Sequence, residues 1–576
     1  MIFFDCEVFA YDWLVVTFDG KDFTYIENDR ELLQQYYNEH KNDLWIGYNC
    51  KGYDKYIIKS ILLGINPKVV NDYIIRDGNA GWQFSNDFKT INLNIYDCMV
   101  FGKSLKQLES YLGVNIHETD VSFNITRPLT EDERRLNREY CRDDVYNTAL
   151  VFQHLQDDFN AHIGLCKLAN EPISSMAKTK AQLSAKILKA ERLSPKYWDE
   201  EYDFQYVDCV KEYDYLHKDV LTFFDGIRES KDPNSKYDIE LYGVPHTFAL
   251  GGLHGARENY FYDVTTSDTI MIHLDVGSFY PHIMTEWGLL SRAIPKVQDF
   301  KDIMELRLKY KHEGNPLQAP LKICINGTYG QSGAGKFEDG KYKVLSNVYD
   351  PKRMREVCIN GQLMLLQLIE DLSQFKLVQS NTDGVIYEVP KNAIQDLKPI
   401  VSKWEQRTKM SMEYDYITYL AQRDVNNYIA VFDNGKIERK GGAVKKPSTL
   451  DCDLPIVSDA VVEYFVNGVD PSEYINKENN MMRFMKTYKL SSKYSHAIYN
   501  DEVLTDKVYR VFASRSRKDG MVYKCKDGGK PEKFASCPEH CKIVNTNIKG
   551  NSCPPWLNKA WYIDEAWKRI KSFKGE

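Results

Sequence analysis

The sequence of 576 residues contains no internal repeat, no low-complexity stretch and no apolar run long enough to cross a bilayer. A solenoid, a largely disordered chain and a membrane-spanning helix are thereby excluded. Its 13 cysteines include no C-x-x-C pair. An odd number of scattered thiols fits a reducing compartment better than a disulfide framework. In the tail, Cys525, Cys537, Cys541 and Cys553 with His540 lack the paired spacing of zinc knuckles and read as buried thiols. A basic, apolar leader is missing as well, since Met1-Ile2-Phe3-Phe4 runs straight into Asp5, so a soluble cytoplasmic protein is expected. Nor is there a global excess of positive charge: 75 Lys and Arg stand against 82 Asp and Glu, a net charge of -7. The charge is nevertheless unevenly placed. Residues 481–576 hold 20 basic and 10 acidic side chains, which suggests a local track for a polyanion on an acidic body.

What is present is enough apolar material for several cores, with 43% hydrophobic residues and 39 tyrosines. At roughly 150 residues per domain the chain should hold about four domains. The first 165 residues alternate short apolar strands (Ile2 to Asp5, Leu14 to Phe18, Leu44 to Tyr48, Ile91 to Tyr96) with helices (Asp29 to Glu39, Glu131 to Gln156), the pattern of an α/β layer domain. A charged helical stretch to about residue 245 follows, with Ala177 to Arg192 its clearest helix. Ile270 to Asp275 then opens a second α and β region, where helices over Lys301–Gly330 and Pro351–Gln374 interrupt strands at Phe375–Ser380 and Gly384–Tyr387.

Carboxylates gather at strand ends. Asp5 and Glu7 lie at i and i+2 of a strand and so share a face, where they repel unless a cation lies between them. Asn49, Tyr53 and Asp54 follow another strand, and Tyr140 and Asp144 share a helix face at i and i+4. Four carboxylates and a phenol are hard oxygen donors suited to Mg²⁺ or Mn²⁺, and a pair of such ions can drive phosphodiester chemistry. A second set begins at Asp275-Val276-Gly277-Ser278-Phe279-Tyr280-Pro281, a strand that ends in Asp and turns. Its partner is the hairpin-like Val378-Gln379-Ser380-Asn381-Thr382-Asp383-Gly384-Val385. Between them Lys322, Asn326 and Tyr329 recur at helical spacing. Arg307 and Lys311 do the same upstream, so a helical pair could surround a triphosphate with cations.

These motifs, in this order, resemble the family B DNA polymerases with a 3′–5′ proofreading exonuclease, nearest to the compact phage-type enzymes. Asp5/Glu7, Asn49 to Asp54 and Tyr140/Asp144 match the three exonuclease motifs. Asp275 to Pro281 matches D-x-x-S-L/F-Y-P, Lys322 to Gly330 matches K-x-x-x-N-S-x-Y-G, and Asn381-Thr382-Asp383-Gly384 is a variant of D-T-D-S. Leu250-Gly251-Gly252 resembles the Y-x-G-G linker, and Lys440-Gly441-Gly442 the basic motif that contacts primer DNA. The likeness covers roughly residues 1 to 446. The sequence also departs from the pattern. Asn381 replaces the first Asp of D-T-D-S, Asn426 with Tyr428 stands where K-x-Y is usual, and the exonuclease lysine expected near Glu118 to Val121 is absent. The intervals Asp275–Lys322 and Gly330–Asn381 span only 47 and 51 residues, which leaves little room for the insertions of the protein-primed group.

The resemblance implies an α/β and α+β multidomain chain: an RNase H-like exonuclease domain (1–165), a helical connector (166–245) and a right-hand polymerase. Palm would be 246–300 and 346–446, fingers 301–345, and a thumb or C-terminal basic domain 447–576. It implies two Mg²⁺ per active site, replaceable by Mn²⁺, held by Asp275, the Val276 carbonyl and Asp383 in one site and by Asp5, Glu7, Asp54 and Asp144 in the other, with Tyr140 beside them. Ser278, Phe279, Tyr280, Arg307, Lys311, Lys322, Asn326 and Tyr329 would bind the incoming dNTP, with Tyr280 excluding a 2′-hydroxyl. Asn49, Tyr53, Gly251, Gly252, Thr382, Tyr428, Lys440 and Gly441 would contact DNA. The expected partners are primer-template DNA and, at the exonuclease site, a single strand; a monomer of phage or mobile-element origin, not membrane-bound, is implied. In the tail, Lys507, Arg510, Arg515, Arg517, Lys518, Lys524 and Lys526, interleaved with Tyr509, Phe512 and Tyr523, would grip duplex backbone. Two other functions fit parts of the pattern: a nuclease whose polymerase half is inactivated by Asn381, and a non-catalytic primer-template clamp or replisome scaffold.

Overall fold

The computed structural model describes residues 1–338 and 341–576, so positions 339 and 340 of the expected 301–345 segment lie outside the described residues. The chain forms two compact units. One comprises Met1–Lys178, Pro447–Val457 and Ser472–Glu565, the other Thr179–Lys446, Ser458–Pro471 and Ala566–Glu576. Each is a mixed assembly of helices and sheets, and the last stretch of sequence is shared between them.

The main sheet of the first unit has five strands in the order β3-β2-β1-β4-β5, with β1 Ile2–Val8, β2 Trp13–Phe18, β3 Phe23–Glu27, β4 Trp45–Gly47 and β5 Ile95–Asp97. Strand β1 runs antiparallel to β2 and parallel to β4. It is central and covered on both faces, so its apolar residues are nearly continuous, as expected of a doubly buried strand. Ile2, Phe4, Cys6 and Val8 join Trp45, Ile57 and Ile61 in one core, while Phe3 meets Phe152 edge to face at 5.5 Å between centroids. The helices of this unit include α1 Arg30–His40, α2 Asp54–Leu62, α3 Leu105–Leu112 and α4 Glu131–Gln153. Thr130 and Glu133 close a capping box at the start of α4, which fixes where the long helix begins. Helix α3 ends as Gly113 turns left-handed at φ 75°, a conformation glycine adopts without penalty.

A three-stranded sheet of Lys486–Lys489, Val508–Ala513 and Cys541–Ile543 belongs to the same unit. It corrects part of the expectation for the basic tail. Arg510, Tyr509 and Phe512 are only 0%, 1% and 0% exposed, so none of them can reach a DNA backbone. The Arg510 guanidinium donates to the carbonyls of Glu109, Ser110, Val114, Val544 and Thr546 at 2.7–3.3 Å. All cysteines are free thiols. Cys537 and Cys541 hydrogen-bond each other, Cys553 donates to the Glu478 carbonyl, and among the described residues the tail assembles no group of three metal-competent ligands.

The second unit is built on a ten-stranded sheet. In chain order its strands are β6 Lys236–Leu241, β7 Val244–Ala249, β8 Gly252–Ala256, β9 Tyr260–Asp263, β10 Thr269–Val276, β11 Lys376–Ser380, β12 Gly384–Pro390, β13 Met412–Asp424, β14 Asn427–Phe432 and β15 Ile437–Lys440. The spatial order is β15-β14-β13-β10-β12-β11-β8-β7-β6, with β9 beside β13. Its helices include α5 Phe279–Glu286, α6 Val297–His312, α7 Gln318–Ser332 and α8 Pro351–Asp371. Helix α8 starts at the N-cap Asp350 with Pro351 in its first turn and is buried over most of its length, its polar Glu356, Asn360, Gln362, Gln367 and Glu370 included. The helix expected over Ala177–Arg192 is shorter, spanning Lys180–Ile187. It begins at the Thr179–Gln182 capping box and stops where Lys189 turns left-handed at φ 52°. No helix among the described residues is long and apolar enough to cross a membrane.

Candidate active sites

In the first unit, alternation along β1 sends Cys6 into the core and leaves Asp5 and Glu7 on the opposite face. Asp54 opens α2, and Tyr140 and Asp144 lie one turn apart on α4. The loop carrying Asn49 is pinned from below: Asn49, left-handed at φ 60°, and Lys51 donate their backbone N–H groups to the Asp97 carboxylate at 2.8 and 3.1 Å. Tyr53 donates its hydroxyl to Asn71 Oδ1 at 2.7 Å. The structure thus brings Asp5, Glu7, Asp54, Tyr140 and Asp144 into one electrostatically coupled cluster. Burial first, and then the neighbouring carboxylates, push Asp5 and Glu7 far above the ordinary carboxylate range. Burial alone is the main cause for Asp54, raised to about 7, and for Asp144. Asp5 and Asp54 share a hydrogen bond, and Tyr140 hydrogen-bonds Asp144. A divalent cation would remove this repulsion, so an all-oxygen set of four carboxylates, three buried and Asp5 half-buried, fits Mg²⁺ or Mn²⁺.

A lysine outside the expected motifs joins this cluster. Lys106, on the first turn of α3, places its ammonium 2.5 Å from Asp144 Oδ1 and 3.2 Å from Glu109 Oε1. It also lies over the Tyr140 ring, 4.7 Å from the centroid. Asn147 donates to the same Glu109 oxygen at 3.0 Å. Glu109 is wholly buried, and that burial raises it to about 8. The signal was present in Lys106-Gln-Leu-Glu109, whose i, i+3 spacing puts both charges on one helix face. Asp97, outside the expected set, closes β5 (Ile95–Asp97), whereas Asp5 lies within β1 (Ile2–Val8) and not at its end as expected.

In the second unit, one cavity of about 430 Å³ is lined by Asp275, Val276, Ser278, Phe279, Tyr280, Pro281, Arg307, Lys322, Asn326, Tyr329, Thr382 and Asp383. The register of the sheet explains the acidic wall. Asp275 stands opposite Gly384 on β12, and the Val276 N–H donates to the Asp383 carbonyl at 2.8 Å. The β11–β12 hairpin therefore carries Asp383 at its tip beside Asp275. Burial raises Asp275 to about 7, helped by Asp383, Glu413, Asp415 and Glu438. Glu413 is directly opposite Asp275 on β13 and was not singled out from the sequence, because Met-Glu-Tyr-Asp reads as an ordinary strand start. The basic wall comes from α6 and α7, which pack against one another. Arg307 Nη1 donates to Ser278 Oγ at 3.4 Å, while its Nε is buried without a partner. The Tyr280 and Tyr329 rings meet at 4.4 Å between centroids, and Gly361 on α8 leaves room for the first: a Cβ there would lie 3.3 Å from Tyr280 Cε1.

Other expected residues are placed differently. Lys311 is exposed one turn beyond Arg307 and is not in the cavity lining. Tyr428 is only 6% exposed, and its hydroxyl donates to Glu438 Oε1 at 2.6 Å, so it braces the sheet instead of facing outward. Gly251 and Lys440 are exposed. Gly252 (φ 143°) lies against Thr382, and Gly441 (φ 91°) passes so close to Asn427 that a Cβ would sit 2.3 Å from its Oδ1. Asn381 is outside the lining. Its side-chain oxygen accepts from the Thr382 N–H at 2.8 Å, and its own N–H donates to the Gly384 carbonyl at 2.8 Å.

No family model matches the chain. Part of it is similar to two archaeal proteins named DNA polymerase 1. The one from Saccharolobus solfataricus is 23% identical over 226 residues, 31% of this chain and 24% of that protein. The one from Sulfolobus acidocaldarius is 25% identical over 137 residues, 23% of this chain and 14% of that protein. The matched region thus spans a quarter or less of these relatives' length, and the kinship supports a DNA polymerase in general terms.

Proposed function

We propose that this protein is a DNA-directed DNA polymerase of the family B type, with a 3′–5′ exonuclease on its other compact unit. The observation that carries the reading is the cavity in which Asp275 and Asp383 face Arg307 and Lys322 across two tyrosine rings. Facing acidic and basic walls suit a substrate that needs both divalent cations and fixed positive charge, which a nucleoside triphosphate does. Asp275, the Val276 carbonyl and Asp383 would hold two Mg²⁺, which when bound activate the primer 3′-hydroxyl and offset the charge of the triphosphate. Arg307 and Lys322 orient the phosphates, Tyr280 walls off the sugar, and Tyr329 and Asn326 flank the base-pairing end. On this reading, residues 1–165 form an RNase H-like nuclease, 246–300 with 346–446 the palm, 301–345 the fingers, and much of 447–576 the thumb.

In the nuclease, Asp5, Glu7, Asp54 and Asp144 would hold the second Mg²⁺ pair. Lys106 holds the Asp144 carboxylate in place, and Tyr140 sets its hydroxyl beside the same group. Primer extension with Mg²⁺ and dNTPs, run beside degradation of a labelled single strand, tests both assignments. Asp275→Ala should abolish extension and leave degradation, whereas Asp5→Ala with Glu7→Ala should do the reverse. A natural chain that degrades but never extends would favour the nuclease-only reading.

A further inference from the structure

The cluster on β1 contains a donor that oxygen-only metal chemistry does not call for. Cys141, on α4 one residue after Tyr140, is fully buried, and its Sγ, an Asp5 carboxylate oxygen and a Glu7 carboxylate oxygen all lie within 4.8 Å of one another. Ligands bound to one ion at about 2.0–2.3 Å are separated by no more than roughly 4.5 Å, so small side-chain adjustments bring the three onto a common centre. Glu7 is itself only 7% exposed, and its carboxylate has neither a hydrogen bond nor an ion pair among the described residues. A buried carboxylate in that state is costly unless something positive meets it.

We propose that Asp5, Glu7 and Cys141 form a binding site for a thiophilic divalent ion, Zn²⁺ or Cd²⁺, overlapping the Mg²⁺ position of the nuclease. The inference rests on the metal-site reading given above and adds a sulfur ligand to it. The metal would displace the Cys141 proton to solvent as the metal–sulfur bond forms, with no change of oxidation state. Mg²⁺, a hard ion, gains little from sulfur, whereas Zn²⁺ and Cd²⁺ gain much. Micromolar zinc would then compete for the nuclease site while leaving the all-oxygen site at Asp275 and Asp383 far less affected.

The test is difference ultraviolet spectroscopy of the full chain titrated with Cd²⁺, because Cd²⁺–thiolate bonds absorb where Cd²⁺–carboxylate bonds do not. The near-isosteric Cys141→Ser should remove one saturable component of the charge-transfer band relative to the natural protein. The double variant Asp5→Asn, Glu7→Gln should weaken that component at least tenfold, with circular dichroism confirming that each variant is folded. Identical titrations of the natural protein and Cys141→Ser would overturn the proposal, as would a Cys141-dependent band untouched by the carboxylate changes. Degradation assayed with Mg²⁺ alone separates the two readings. Its absence would remove the nuclease assignment, while the Cd²⁺ signature would still report the site.

Discussion

Tyr280 is wedged between Tyr329 and the glycine face of α8, so its ring has little freedom to retreat from a sugar. Tyr280→Val should therefore raise kcat/KM for rNTPs relative to dNTPs, by on the order of tenfold to a hundredfold or ~1.4–2.8 kcal/mol. An unchanged ratio would place the sugar gate on another residue. Asn381 leads to the opposite expectation. Its side-chain oxygen accepts from the adjacent Thr382 N–H, a local contact that holds the hairpin tip without negative charge. Asn381→Asp should alter extension by less than about tenfold, while Asp383→Asn should cost on the order of a thousandfold. Asp275 adds a pH dependence. Its pKa is raised in the fold to about 7, so between about 4 and 7 the folded metal-free protein binds more protons than the unfolded chain, and stability is lost as pH rises through that window. Asp275→Asn should raise the Tm of the metal-free protein at pH 8 and change it little at pH 4. Scanning calorimetry at the two pH values checks the sign.

The elements that carry the sites were readable in sequence wherever a strand or helix had its own punctuation. Thr130 and Glu133 announce α4, and the apolar runs around Asn381-Thr382-Asp383-Gly384 announce the hairpin that sets Asp383 beside Asp275. Neighbours contributed from elsewhere were not readable. Glu413 reaches Asp275 only through sheet register, a pairing that no local pattern encodes. Lys106 is not readable either, because its partner Asp144 comes from another element and only the fold sets it against α3. That helix makes a prediction of its own. Lys106→Met removes the cation between Asp144 and Glu109 while keeping the length of the side chain, so these two buried carboxylates lose their compensation. Single-strand degradation should fall by about a hundredfold or more, with extension within about twofold, and steady-state kinetics on both substrates decides it.

At the scale of the whole chain, the order of segments along the sequence is not the order of folding units. Residues 1–165 are contiguous in sequence, and residues 472–565 cluster with 1–178. The contacts are specific. Ile116 and Gly113 exchange backbone hydrogen bonds with Asn545 and Ile548 at 2.7–2.8 Å, Ser110 pairs with Thr487 at 2.7 Å, and buried Arg510 gathers the carbonyls at the end of α3. Sequence could not reveal this, because a basic residue in a basic tail reads as solvated until its burial is seen. Cutting the chain after Lys178 would leave the Glu109, Ser110 and Val114 carbonyls without Arg510 and uncover the apolar side of α3, whose position sets Lys106 against Asp144. Each orphaned carbonyl costs about 1–3 kcal/mol where water cannot replace the donor. The fragment 1–178 should accordingly melt at least 10 °C below the transition of the first unit in the full chain, a shift that needs only roughly 3–5 kcal/mol in a unit of this size. It should also lose single-strand degradation by more than about tenfold, and Arg510→Met in the full chain should reproduce part of both losses while sparing extension. A fragment as stable and as active as the parent would mean that the C-terminal sheet merely rests on α3 and does not hold it.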